Sequence, residues 1–130
     1  MIQEDKELLL KDLSARLPYK VKGVYVRTDI KNLSICEITT HLYSEMEESF
    51  NGKEKYEFIP YLRPMSSMTE EEEEKWAKAS NMKFDMEDGF IDAYDAYLST
   101  DWLNAHHFDY RGLIEKGLAI KATEGMYPNR

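Results

Sequence analysis

Leucines at positions 9, 10, 13 and 17, with Ile2 or Lys6 one or two turns earlier and charged residues between them, set the first periodic pattern in the chain. That spacing predicts an amphipathic helix over roughly residues 4–16, which Pro18 stops because a proline cannot continue the helical hydrogen-bond ladder. The period then changes. YKVKGVYVRT is rich in valine and tyrosine, and LSICEITT repeats the β pattern after the polar break DIKN, so the two predict a hairpin. In its second strand Leu33, Ile35, Glu37 and Thr39 share one face, and Ser34, Cys36, Ile38 and Thr40 the other. Neither face is cleanly polar, and both are expected to be partly covered.

Further on, HLYSEMEESFNGKEKYEFIPYLRP contains the turn signal Asn51-Gly52, followed by a predicted strand over roughly residues 55–62 in which Pro60 implies an edge position or a strand end. In SSMTEEEEEKWAKAS the apolar pattern thins to Met68, Trp76 and Ala79. Thr69 and Glu72 there have capping-box spacing, Ser66 and Ser67 are alternative starts, and the glutamates that follow Thr69 suit the positive end of a helix dipole. A second helix is predicted in GFIDAYDAYLSTDWLNAH, where Phe90, Ile91, Tyr94, Leu98 and Trp102 recur at helical spacing. Beyond it Asp109 is placed to cap a short helix starting near Tyr110, Gly117 to end it in a left-handed conformation, and LAIKA to return as a strand.

Together these elements predict one α+β domain over residues 1–130, a helix plus strand-rich part over 1–64 and a mainly helical part over 65–130. The architecture is a small curled antiparallel sheet with an N-terminal helix and two or three C-terminal helices. Too few strands alternate with helices for a doubly wound parallel fold. A hydrophobic fraction of 42% with nine tyrosines argues for a packed core, and no apolar run is long enough for a membrane span. The first residues lack the basic and apolar sections of a secretory signal, so a cytoplasmic location is expected. The lone Cys36 excludes an internal disulfide framework and reads as a small buried side chain.

Charge sharpens the picture. The formal net charge is −8, and residues 69–101 carry eleven acidic side chains against Lys75, Lys78 and Lys83, while the rest of the chain is balanced. An overall field of that sign disfavours a phosphate-backbone partner and favours a protein partner with a basic surface. The expected interaction residues are Glu71, Trp76, Phe84 and Asp92.

The densest polar chemistry is His106, His107, Asp109, Tyr110 and Arg111. Adjacent side chains on a helix diverge by about 100 degrees, and HExxH spacing is absent, so the histidines read better as a helix cap and a local packing partner than as zinc ligands. Arg111 has no second cation at motif spacing. Asp88, Asp92 and Asp95 can share a helix face, as carboxylates on any solvated helix do. Lys53, Lys55 and Arg63 interleave with Phe50, Tyr56, Phe58 and Tyr61, a pattern that serves base stacking or an ordinary packed strand. No phosphate loop, nucleophile elbow or zinc-cysteine array is present. No cofactor is implied, and no residue is assigned as catalytic or metal-ligating.

Two segments, IPYLRPMSSMTEEEEEK at 59–75 and LNAHHFDYRGLIEKGLAIKATEGMY at 103–127, resemble recurring segments of a small uncharacterised protein family of gut Bacteroides-type bacteria and their phages or integrated mobile elements. The resemblance implies a phage-like or mobile-element accessory protein and assigns no role to any residue. With the charge pattern, the function expected is a protein–protein interaction module. A small metal-dependent hydrolase and a nucleic-acid-binding accessory protein are the alternatives.

Overall fold

The structure is a computed structural model and describes residues 2–27, 32–50, 56–80 and 93–127. Helix α1 spans Gln3–Arg16 and buries Leu9 and Leu13 together with Asp12 and Arg16. Pro18 turns the chain through a short 3-10 segment, Leu17–Tyr19, and Lys20 closes it in the left-handed region at φ 54°. Glycine normally takes that position, because a Cβ crowds the following carbonyl there.

Strands β1 (Lys22–Arg27) and β2 (Asn32–Glu37) pair antiparallel, with Lys22 opposite Glu37 and Arg27 opposite Asn32. The DIKN break between them lies largely outside the described residues. On the other side β1 pairs antiparallel with β3 (Tyr56–Pro64), from Arg27 opposite Tyr56 to Gly23 opposite Pro60. One face of this three-stranded sheet carries Gly23, Tyr25, Cys36 and the fully buried Phe58, and it is packed by helices. Gly23 is required here, since a Cβ at that position would stand 2.5 Å from the Phe58 ring.

Helix α2 (Thr40–Phe50) was not among the predicted elements. Thr39 caps it, its hydroxyl accepting the Leu42 N–H at 3.1 Å, and Met46 enters the core beside Leu9, Leu13 and Phe58. Leu42, Tyr43, Met46 and Phe50 have helical spacing, yet four apolar residues in a short segment are a weak signal when a strand pattern follows directly.

Helix α3 (Glu70–Ala79) starts with the full capping box: Thr69 accepts the Glu72 N–H and Glu72 accepts the Thr69 N–H, both at 3.1 Å. Helix α4 (Ala93–Ala105) packs on it, with Leu103 and Asn104 buried. The two C-terminal helices expected from the sequence are α3 and α4.

After α4 the chain adds two short strands that pair with β3 in parallel: β4 (Phe108–Asp109) opposite Arg63 and Pro64, and β5 (Ile120–Lys121) opposite Tyr61 and Leu62. The α+β class holds, but the sheet is mixed rather than wholly antiparallel, because the C-terminal segment closes against the far half of β3. Arg63 N–H bonds the His107 carbonyl and the Leu62 carbonyl accepts Ala122 N–H, both at 2.8 Å. Neighbouring residues of a strand point their backbone groups to opposite edges, so β4 and β5 flank β3 on its two sides. Pro60 lies inside β3 rather than at its end, with its missing N–H on the edge turned away from β1.

No helix forms from Tyr110. Asp109 instead accepts Leu113 N–H (2.9 Å) and Ile114 N–H (3.0 Å) and holds a single turn. Gly117 at φ 74° ends that turn, with Leu118 N–H bonded to the Leu113 carbonyl and Gly117 N–H to that of Ile114, the Schellman pattern. Five residues give too few hydrogen bonds to extend the turn. Among the described residues, no helix is long and apolar enough to cross a membrane.

Candidate functional site

The ladder between β1 and β3 ends at Gly23 and Pro60, and beyond that pair the strands separate. The seam is held by Tyr127. Its hydroxyl accepts Lys22 N–H at 2.8 Å and donates to the Tyr61 carbonyl at 2.8 Å, with the Lys22 carbonyl at 3.2 Å. His107 stacks on the Tyr127 ring with centroids 3.8 Å apart. In front of this seam a cleft of about 440 Å³ opens, with Lys20, Lys22, Arg63, His106, His107 and Tyr127 on its wall.

Each wall residue is positioned by its own element. Lys20 and Lys22 come from the turn after Pro18 and the start of β1, and Lys22 Nζ also reaches the Met126 carbonyl at 3.0 Å. Arg63 lies on β3, its guanidinium 4.1 Å above the Phe108 ring and paired through both terminal nitrogens with Glu72 at 2.7 Å. Glu72 is thus shared between the α3 capping box and Arg63 of the cleft wall, and Arg63 holds its carboxyl below the usual range. His106 stacks on Trp102 of α4 at 4.0 Å. Tyr19, also on the wall, donates its hydroxyl to Asp101, and that bond pushes its pKa up to about 12.

Two features mark the cleft. Lys20 (φ 54°) and His107 (φ 65°) are the non-glycine residues with left-handed backbones among the described residues, and both line it. Such conformations cost on the order of 1 kcal/mol each and concentrate where a fold must aim particular side chains. The second feature is the local charge. Among the described residues of the wall Lys20, Lys22 and Arg63 stand with Glu37, and Arg63 is already paired with Glu72, in a chain whose formal charge is −8.

The imidazoles register that field. Burial, then Arg16, His106, Arg63 and Lys22, pull the His107 pKa down to about 4. Its Nδ1 is buried without a hydrogen-bond partner among the described residues, so a protonated ring would strand an N–H in the interior. His106 is also lowered, chiefly by burial. Both rings are neutral at pH 7, each offering one donor and one acceptor.

The remaining members of the polar group predicted at 106–111 point elsewhere. Asp109 caps the following turn, and the Tyr110 hydroxyl donates to Asn104 Oδ1 at 2.9 Å. Arg111 pairs at 2.8 Å with Asp12, which also holds Arg16 through Nε at 2.8 Å. Arg16 in turn donates to the Phe108 carbonyl at 2.6 Å. Asp12, Arg16, Arg111 and the Phe108 carbonyl thus tie α1 to the C-terminal segment, with Arg16 Nη1 buried and without a hydrogen-bond partner among the described residues.

Of the predicted interaction residues, Glu71 is exposed and paired with Lys75 at 3.3 Å. Trp76 is half-buried between α3 and α4, its indole N–H donating to Ser99 Oγ at 3.0 Å. Phe84, Asp92 and Asp88 lie outside the described residues, as do Lys53 and Lys55 and the side chain of Asp95. Phe58 is in the core. No three His, Cys, Asp or Glu side chains among the described residues come close enough to hold a metal ion. Lys20, Lys22 and Tyr127 were not singled out by sequence, and Tyr127 enters it only as the last residue of the segment 103–127 that carries the resemblance. No protein-family model, curated protein or solved structure matches the chain.

Proposed function

We propose that this protein is a binding module whose cleft at the β1–β3 seam takes a small oxyanion, a phosphate or carboxylate group of its ligand. The observation that carries the reading is the convergence of Lys20 and Lys22, from the turn that enters β1, and Arg63 of β3 with two neutral imidazoles around one concavity of about 440 Å³. Hydrogen-bond donors and positive charge set against an acidic exterior select and concentrate a small anion. A bound anion favours the protonated imidazoles, so affinity rises as the pH is lowered toward about 4, the His107 value in the free protein. Titration with inorganic phosphate, followed by the imidazole NMR signals, tests this. Saturable shifts at His106 and His107, weakened by Lys20→Ala, are expected; unmoved signals at millimolar phosphate would sink the reading.

A second reading is a contact with a protein bearing a basic surface, the accessory role in a phage or mobile element that the resemblance implies, in the cytoplasm. Its support is the strip of exposed Glu70, Glu71, Glu73 and Glu74 on α3, where charge steers association. A pull-down with Glu71→Lys and Asp92→Lys combined is expected to lose a partner while the circular dichroism spectrum stays unchanged. Retention of every partner would count against it.

A further inference from the structure

Strand β2 borders the sheet. Ile38 N–H donates to the Val21 carbonyl at 2.8 Å, and the register continues through Cys36 opposite Gly23 and Ser34 opposite Tyr25. In an antiparallel ladder this alternation commits the even-numbered residues of β2 to β1 and turns the backbone groups of Leu33, Ile35 and Glu37 outward. No described strand lies along that outer edge. The side chains of the same residues stand on the sheet face opposite Phe58. There Leu33 and Ile35, at 66% and 67% exposure, are the most exposed large hydrophobic side chains among the described residues. Partly buried Val24, Val26 and Ile59 extend the apolar surface on that face.

Proteins blunt such edges with proline, lysine or a bulge, and Asn32–Glu37 contains neither residue and pairs with β1 in unbroken register. We propose that the occupant of this edge is a second copy of the chain, its β2 pairing antiparallel with this one about a two-fold axis through Ser34. Three constraints choose the register. Outward backbone groups occur only at odd positions, so odd residues must meet odd residues. Centring on Ser34 sets Leu33 against the partner's Ile35, whereas centring on Ile35 sets Leu33 against the partner's Glu37. The sequence is also charge-complementary to itself about Ser34, with Lys31 and Glu37 equidistant from it. Each Leu33–Ile35 pair exchanges both N–H···O bonds, and the apolar surfaces of the two sheets become continuous. An isologous contact of this kind is closed, which ends the strand addition at two chains.

The test is sedimentation equilibrium from low to high micromolar concentration, combined with cysteine crosslinking in a Cys36→Ser background. The apparent mass is expected to rise from 15.3 kDa toward twice that value. Ile35→Lys, a change at an exposed position, is expected to hold the chain monomeric without unfolding it. Ser34 faces its own equivalent in a non-hydrogen-bonded pair, about 4.5 Å between Cα atoms, which suits a disulfide. Ser34→Cys should therefore crosslink under mild oxidation at least tenfold faster than Ile35→Cys. A monomer at every concentration overturns the proposal. So does a dimer indifferent to Ile35→Lys, or one in which Ile35→Cys crosslinks as fast as Ser34→Cys.

Discussion

His106 and His107 line an open cleft, whereas Tyr110 and Arg111, a few residues along the chain, enter a cluster with Asn104, Asp12 and Arg16, and Asp109 between them caps the following turn. Both groups are polar and both sit beside Phe108. They differ in how their charges are satisfied. In the cluster Asp12 binds two arginines and is itself fully buried, so its carboxylate is spent on holding the fold. In the cleft Lys20, Lys22 and Arg63 stand with Glu37 on the described wall, Arg63 is paired with Glu72, and burial lowers the pKa of both imidazoles. Polar residues in one short segment thus divide between those the fold supplies with partners and those it leaves on the wall of a concavity.

The largest expected effect breaks the cluster. Asp12→Ala leaves the Arg16 guanidinium buried with no counter-charge, and removing one partner of such a pair costs about 3–5 kcal/mol. Urea denaturation would measure it; a loss below about 1 kcal/mol would mean that the cluster does not close the fold.

Acid acts on the open side. An unfolded histidine takes up its proton near pH 6.5 but His107 only near pH 4, so the unfolded state binds more protons between those values. Stability contributed by the neutral ring is complete above about pH 6.5 and is lost as the pH falls toward 4. His107→Asn, which tolerates the left-handed backbone, should lose less stability than the parent between pH 7 and 4.5, by on the order of 2 kcal/mol after allowance for partial exposure. Equal slopes of unfolding free energy against pH for the two proteins would contradict the assignment.

Glu72→Gln sits between the two regimes. It weakens the ion pair with Arg63 and the α3 cap, at a cost of about 1 kcal/mol, and it leaves more of the Arg63 charge for the cleft. Phosphate affinity measured by calorimetry should rise severalfold even as the thermal midpoint falls; a parallel loss of both would separate Arg63 from the site.

Lys20→Gly should give the smallest change and the most diagnostic one. Relief of the left-handed backbone stabilises the fold by somewhat under 1 kcal/mol, while loss of the ammonium weakens phosphate binding severalfold. Opposite signs in those two measurements are what a residue retained for binding predicts. Destabilisation by glycine would assign Lys20 to the fold instead.

Local physics made several elements legible. The leucine spacing of α1, its stop at Pro18, the capping box of α3 and the left-handed Gly117 are decided by residues within a few positions of each other, and each is found in the structure. Helix α2 escaped because its four apolar residues are meaningful only against α1 and β3. Asp109 was legible as a cap but not the length of what it caps. The histidine pair was legible as polar chemistry, yet its companions on the cleft wall, Lys20, Lys22, Arg63 and Tyr127, are scattered across the chain with no spacing that joins them.

By itself the sequence determined the α+β class, the position of its N-terminal helix and hairpin, the concentration of negative charge after Thr69 and the location of the densest polar segment. Period, propensity, capping and formal charge are properties of neighbouring residues, so they can be read in one dimension. Only the tertiary structure decided that β4 and β5 join β3 in parallel, that Asp12 pairs with both Arg16 and Arg111, and that a cleft lined by Lys20, Lys22 and Arg63 opens in an acidic protein. Those outcomes depend on which distant groups packing brings within hydrogen-bond and Coulomb range, and on where two strands part because a tyrosine from the C-terminal segment fills the seam.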